Sequence, residues 1–289
     1  MKAIYDLPAP AKLNLFLHIT GRRDDGYHLL QSVFMLVDWC DTLHVERRSD
    51  GAITREDLTT ELPADDLVVR AAKALQAFAR TPQGAHIGIA KEVPAQAGMG
   101  GGSSDAATCL LALNRLWDLN VPLSTLAQIG LGLGADVPFF LRGRNAWAEG
   151  IGELITPVAL PPGCFAVVKP PQGLDTRHIF AAPDLQRATP AAIISGFAAH
   201  SESGVEKSVD SIFNFGHNDL QPVAERLCPA VTEAIEWLGR QGLQGRMTGS
   251  GSSVFAVMPH EAQLAATPPG WQVRKCSNLA DHPLVGWAV

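Results

Sequence analysis

Near its start the chain alternates between aliphatic positions and positions that are mostly polar. Between residues 11 and 19, leucine or isoleucine occupies every second position from Leu13 to Ile19. A period of two predicts a β-strand with one apolar face. Lys12 and Asn14 both occupy the positions between these aliphatic residues, so we expect their side chains to point to the same side of this strand.

Further along, the apolar positions take helical spacing. Residues 66–79 are rich in helix-forming residues and place Leu67, Ala71 and Leu75 on one face. A proline- and glycine-rich stretch at 157–163 predicts a crossing between two domains, residues 1–155 and 156–289. Further helices are predicted at 123–133 and 223–238, and strand-like runs at 32–43, 86–90, 253–258 and 272–276.

Residues 98–105 form a glycine loop with the sequence Gly-Met-Gly-Gly-Gly-Ser-Ser-Asp, and a segment with helical spacing follows. Glycines let the backbone approach a ligand closely, and a helix start adds unpaired N–H donors and positive charge, so the loop is suited to phosphate. We expect Ser103, Ser104 or Asp105 to cap the helix. The loop lacks the Gly-Lys-Ser/Thr ending of a Walker A loop and the spacing of a dinucleotide fingerprint. A simple glycine-rich turn is the alternative interpretation.

The composition is that of an ordinary globular protein, with 46% hydrophobic and 18% charged residues. A net charge of −6 argues against a general interaction with nucleic acid or with an anionic membrane. The first residues lack the apolar core of a signal peptide, so we expect a cytoplasmic protein. The five cysteines include no C-x-x-C pair, which argues against a transition-metal site built by the protein.

Four segments together resemble the GHMP kinases, a superfamily named for galactokinase and for homoserine, mevalonate and phosphomevalonate kinases. They are Pro-Ala-Lys-Leu-Asn at 10–14, the glycine loop, Gly-Ala-Asp-Val-Pro at 134–138 and Thr-Gly-Ser-Gly at 248–251. The resemblance implies a two-domain α+β fold, with a ribosomal-protein-like N-terminal domain, a ferredoxin-like C-terminal domain and an active site in the cleft between them. It also implies ATP-dependent phosphorylation of a small-molecule alcohol.

The resemblance assigns roles to individual residues. Asp136 would accept the proton of the substrate hydroxyl, while Lys12 would stabilise that carboxylate and the charge that develops on the transferring group. Asn14 would bind substrate hydroxyls. Magnesium should accompany ATP, with Ser104 as a candidate ligand. The residues expected to bind the nucleotide are Asp66, Leu67, Lys91, Pro94, Ala97, Gly98, Gly100, Gly101, Gly102, Ser103, Ser104 and Asp105.

The segment Arg-Asp-Asp-Gly-Tyr-His at 23–28 resembles one branch of the superfamily, whose substrate carries a cytidine diphosphate group. In that branch Tyr27 would stack on the cytosine, His28 would bind its polar edge, and Phe180 would cover the opposite face. Thr176 would also bind the substrate. Asp66 stands where such kinases often have asparagine, which puts the adenine contacts in question. Met99 replaces a leucine of similar volume, which should have little effect.

Other functions are compatible with parts of this pattern. Another kinase of the superfamily, of the mevalonate or homoserine type, would share every segment except the one ending in Tyr27 and His28. A non-catalytic sugar sensor would not need Lys12 and Asp136 together. An RNA-binding module of the same first-domain fold would be expected to carry clusters of basic residues. The oligomeric state is not predicted.

Overall fold

The computed structural model describes residues 1–194, 212 and 215–289. Two long antiparallel strands, β1 (Ala3–Arg22) and β2 (His28–Arg48), form the centre of a six-stranded sheet. On one side β2 pairs with β4 (Gly84–Ala90), which pairs in parallel with β3 (Ile53–Asp57). Elsewhere along its length β2 pairs with β5 (Ala146–Glu149), and β5 with β6 (Leu154–Pro157).

Four helices belong to this first part of the chain: α1 (Leu67–Ala79), α2 (Gly101–Leu116), α3 (Leu123–Leu131) and α4 (Val137–Arg142). Helix α2 is buried along most of its length and packs against α1, α4 and the sheet. Helix α1 begins where the sequence predicts, because Asp66 caps it by accepting a hydrogen bond from the backbone N–H of Val69.

The second part of the chain contains a four-stranded antiparallel sheet in the order β10, β7, β9, β8. Its elements are β7 (Cys164–Lys169), α5 (Thr176–Ala181), α6 (Gln221–Leu227), α7 (Pro229–Gly239), β8 (Arg246–Met247), β9 (Val254–Val257) and β10 (Gln272–Ser277). The helix predicted at 223–238 is two helices, because the chain breaks at Cys228 and proline opens the next helix at Pro229. No helix among the described residues is long and apolar enough to span a membrane.

After β10 the chain returns to the first sheet. The backbone N–H of His282 donates to the carbonyl of Gly143, and the N–H of Leu123 donates to the carbonyl of Val289. Leu284 is 4% exposed and lies in the same apolar core as α1 and α2. The last residues of the chain therefore complete the core of its first part.

The predicted alternation along β1 is not reflected in its burial. Lys12 and Asn14 are 4% and 2% exposed, and Phe16 is fully buried. Lys12 and Asn14 are covered by Phe34, Ser32 and Asp136, while Leu13 and Phe16 share a core cluster with Phe165 of the second sheet. Burial of both faces makes this strand the structural link between the two sheets.

Candidate active site

A cavity of about 820 Å³ lies where the two parts of the chain meet. The first part supplies β1, the glycine loop and the start of α4. The second part supplies the start of α5 and the turn at 249–251. The predicted residues on its wall are Lys12, Asn14, Asp66, Leu67, Lys91, Pro94, Ala97, Gly98, Gly100, Gly101, Gly102, Ser103, Asp105, Asp136, Thr176 and Phe180.

The glycine loop is held against the second part of the chain by direct backbone contact. Gly98 has a φ of +70°, and a Cβ at this position would lie 2.3 Å from the carbonyl oxygen of Thr248. Gly100 has a φ of +71° and is the N-cap of α2, so Ser103, Ser104 and Asp105 lie inside the helix and do not cap it. The loop thus leads straight into a helix start, where backbone N–H groups and the helix dipole favour an anion.

Lys12 and Asp136 are brought together on this cavity. The Lys12 Nζ lies 3.5 Å from a carboxylate oxygen of Asp136, with side-chain exposures of 5% and 29%. Asp136 precedes α4 but makes no capping hydrogen bond with its side chain, so its carboxylate is left to face Lys12. Lys12 is further fixed by the ring of Phe34, whose centroid lies 4.8 Å from its Nζ.

Asn14 holds Lys12 from the other side. Its Oδ1 accepts a hydrogen bond from the Lys12 Nζ at 2.5 Å, and its Nδ2 donates to the Ser32 hydroxyl at 2.8 Å. Ser32 in turn donates to the carbonyl of Phe16. The sequence predicts that Asn14 binds substrate, and this stays a prediction; the structure shows its amide bonded to the lysine.

Sequence reasoning missed Ser32 and Thr248. Ser32 is fully buried and lies on the strand paired with β1, while the hydroxyl of Thr248 accepts the backbone N–H of Asn14 at 2.8 Å. Pairing of the two long strands was the only signal that could have indicated Ser32. Thr248 lies in the small-residue segment that contributed to the resemblance.

Behind the glycine loop, Lys91 lies between two buried carboxylates. Its Nζ donates to Asp105 at 2.6 Å and to Asp41, which sequence reasoning did not single out. Burial raises the pKa of Asp105 well above its usual range, and the charge of Asp41 adds to this effect, whereas Lys91 opposes it. For Lys91, burial alone would lower the pKa, but the charges of Asp105 and Asp41 outweigh it and raise the pKa.

Two predicted nucleotide residues differ from expectation. Ser104 is fully buried, its hydroxyl has no partner among the described residues, and it is absent from the cavity wall, whereas Ser103 is on the wall. The helix start at Gly101 turns Ser104 inward, so its prediction as a magnesium ligand is not supported by its position. Asp66 is engaged with Arg55 at 2.7 Å in addition to capping α1.

The residues predicted to hold a cytosine are only partly assembled. Phe180 and Thr176 lie on the cavity wall, and the Thr176 hydroxyl lies 2.6 Å from that of Ser250. The His28 ring is tilted against Phe180 with centroids 5.0 Å apart, but His28 is not on the wall itself. Tyr27 is 60% exposed and also lies off the wall.

His28 has a partner that the sequence did not indicate. The Nε of Arg187 donates to the Nε2 of His28 at 3.1 Å. Burial lowers the pKa of His28, and the positive charges of Arg187 and Arg22 lower it further. The imidazole is therefore expected to be neutral at pH 7.

Fold and site define a phosphotransferase that acts on small molecules, and the family models agree. Residues 66–144 match the model described as the GHMP kinases N terminal domain, and residues 196–267 match that described as GHMP kinases C terminal. The chain belongs to the GHMP kinase family, whose members use ATP.

Relatives place the chain within that family. It is 78% identical to a 4-diphosphocytidyl-2-C-methyl-D-erythritol kinase of Variovorax paradoxus (strain S110), with all of both chains covered. It is 64% identical to a kinase of the same name from Verminephrobacter eiseniae (strain EF01-2), over 100% of this chain and 99% of the relative. The crystal structure of a 4-(cytidine 5'-diphospho)-2C-methyl-D-erythritol kinase matches with a TM-score of 0.76 at 33% identity, covering 94% of this chain and 98% of that one. A homoserine kinase from Cytophaga hutchinsonii shares the fold, with a TM-score of 0.69 at 14% identity.

Proposed function

We propose that this chain transfers the terminal phosphoryl group of ATP to the 2-hydroxyl of 4-diphosphocytidyl-2-C-methyl-D-erythritol. The observation that carries the proposal is the Lys12–Asp136 pair, which faces the same cavity as the glycine loop. The 78% identity to a kinase named for this substrate supports the choice of acceptor.

The chemistry needs few groups. Phosphoryl transfer proceeds mainly through positioning and charge stabilisation, because its transition state is loose. Asp136 accepts the proton of the attacking hydroxyl, and Lys12 stabilises the negative charge on the transferring group. Asn14 and Ser32 keep the lysine pointed at the site of transfer.

The nucleotide lies along the wall of the cavity that the first part of the chain supplies. The glycine loop and the start of α2 bind its phosphates, since both present backbone N–H donors. Asp66, Leu67, Lys91 and Pro94, which all line the cavity, hold the adenosine end.

A magnesium ion fits this site when it is carried by the triphosphate. The described residues contain no group of three or more His, Cys, Asp or Glu side chains placed to hold a metal. Mg²⁺ needs only one or two protein oxygens when phosphates and water complete its shell, and the Ser103 hydroxyl on the wall can supply one. When bound, the ion neutralises charge on the phosphates.

The cytidine end lies against the wall that the second part of the chain supplies, next to Phe180 and Thr176. Phe180 covers one face of the cytosine, and His28 binds its polar edge. Tyr27 covers the opposite face once the loop at 23–27 turns toward the cavity. Stacking of this kind stabilises a bound base by about 1–3 kcal/mol.

ADP release over a panel of alcohols tests the proposal. We expect turnover with the cytidylated substrate and little with free methylerythritol, because binding energy from the remote cytidine helps to hold the hydroxyl in line. Equal efficiency with free methylerythritol, mevalonate or homoserine would replace this function with that of a broader small-alcohol kinase.

A further inference from the structure

Arg187 connects the two residues proposed to contact the cytosine. Its Nη2 donates to the carbonyls of Phe180 and Ala182, at 3.1 and 2.6 Å, while its Nε donates to His28. Nη1 donates to the carbonyl of Leu185. One guanidinium therefore holds the end of α5 and one nitrogen of the imidazole in a fixed relation.

The direction of the bond to His28 is determined by chemistry. A guanidinium has five N–H donors and no acceptor, and it stays protonated in proteins. The Nε2 of His28 must therefore present its lone pair to Arg187. A neutral imidazole carries one proton, so the proton of His28 resides on Nδ1.

This leaves one donor available on the ring. Among the described residues, the Nδ1 of His28 has no hydrogen-bond partner. The ring that carries it packs on Phe180, which lines the cavity. A free N–H next to an aromatic wall is suited to the acceptor edge of a planar base.

We propose that Arg187 is a positioning residue for substrate recognition, which fixes His28 as the Nδ1–H tautomer so that it donates to an acceptor, N3 or O2, of the cytosine ring. The proposal rests on the proposed function. The positive charge of Arg187 also disfavours the imidazolium form of His28, which keeps the ring neutral and its Nε2 lone pair available to the guanidinium. Arg187 itself does not need to touch the substrate.

The tautomer can be measured directly. In protein labelled with ¹⁵N-histidine, two-bond correlations between ring nitrogens and ring protons distinguish the protonated nitrogen from the bare one, and His28→Ala identifies the signals. We expect Nδ1 to carry the proton in the unmodified chain and the proton to be redistributed between the nitrogens in Arg187→Met. A wild-type ring protonated on Nε2, or a tautomer that Arg187→Met leaves unchanged, would overturn the proposal.

Kinetics then connect the tautomer to the substrate. Arg187→Met should raise KM for the cytidylated substrate about three- to tenfold, the scale of one hydrogen bond, with KM for ATP unchanged. In the His28→Ala background the same substitution should add little, because the two residues act through one contact. An equal effect in both backgrounds would mean that Arg187 only holds α5 in place, which contradicts the proposal. Arg226→Met is the matched control, since this half-exposed arginine pairs with Asp184 and does not contact His28.

Failure of the proposed function is distinguishable from failure of this inference. A wild-type chain inactive on the cytidylated substrate refutes the function. The spectra of the labelled protein report how Arg187 affects the tautomer of His28, and they require no turnover.

Discussion

The hydroxyl of Ser32 lies 2.8 Å from the side-chain nitrogen of Asn14, on the strand paired with the one that carries Lys12. Because Ser32 accepts from Nδ2, the amide of Asn14 is turned so that its oxygen faces Lys12. Ser32 is not on the cavity wall, yet through Asn14 it sets the orientation of the Lys12 side chain.

Removal of this hydroxyl should reduce turnover more than binding. We expect Ser32→Ala to lower kcat about five- to thirtyfold, since loss of one partner leaves a buried amide donor unsatisfied. KM for ATP should change little. Steady-state kinetics check this, with Ser124→Ala on the exposed side of α3 as the control. A larger rise in KM than fall in kcat would contradict the positioning role.

Asp136 is expected to be essential for the chemical step. Asp136→Asn keeps the shape of the side chain but removes the proton acceptor, so kcat should fall by at least about a hundredfold. Nucleotide affinity, measured by titration calorimetry, should be retained. Asp281→Asn provides the control, because Asp281 is a half-exposed carboxylate paired with Arg144. Near-normal turnover in Asp136→Asn would remove this residue from the mechanism.

Gly98 should not tolerate a side chain. In Gly98→Ala the new Cβ would overlap the carbonyl of Thr248, so the glycine loop must shift and KM for ATP should rise by at least about tenfold. Gly242 has a φ of +75°, and a Cβ there would meet no atom within 4 Å, so Gly242→Ala carries the backbone strain alone, about 1–2 kcal/mol. Equal nucleotide affinity in the two variants would show that the glycine loop does not take part in phosphate binding.

Phe180 should contribute to substrate binding through its ring. Phe180→Leu is expected to raise KM for the cytidylated substrate by about tenfold, which lies within the 1–3 kcal/mol of a stacked base. Phe78→Leu, at a position that is 54% exposed on α1, should have no effect. Tyr27→Ala should cost a similar amount of affinity, and an unchanged KM would show that this exposed residue stays away from the base.

The buried carboxyl of Asp105 should lower stability as the pH rises. Asp105 loses its proton at about pH 4 in the unfolded chain and at a higher pH in the folded chain, because burial raises its pKa there. The free energy of unfolding therefore falls as the pH rises between these two pKa values. Asp105→Asn should therefore raise the free energy of unfolding and the Tm at pH 7. The gain should shrink toward pH 4. Asp65→Asn, at an exposed position, provides the control for thermal unfolding.

Local signals predicted much of this molecule. The glycine loop, the helix that follows it and the start of α1 after Asp66 are consequences of neighbouring residues, and the structure confirms all three elements. The approach of Lys12 to Asp136 could be predicted only through the family resemblance, because 124 positions separate them and no periodicity links them.

Other features depend on contacts that no short window contains. Asp41 meets Lys91 because β2 pairs with β4, and Ser104 faces inward because α2 begins three residues before it. The alternation along β1 fails to predict burial, because the face with Lys12 and Asn14 is covered by Phe34, Ser32 and Asp136 of the first part, while Leu13 and Leu15 pack against the second sheet. Arg187 and His28 are 159 residues apart, so only the tertiary fold indicates their bond.

The return of the chain after β10 has a consequence for how the protein forms during synthesis. Leu284 lies in the core beneath α1 and α2. Arg115 of α2 stacks on Trp287, with its Cζ 4.5 Å from the ring centroid. These partners are translated after the residues whose core they complete, which belong mainly to the first half of the chain. The core around α2 can therefore close fully only after the segment that follows β10 has been translated, although most of its residues are made well before that segment.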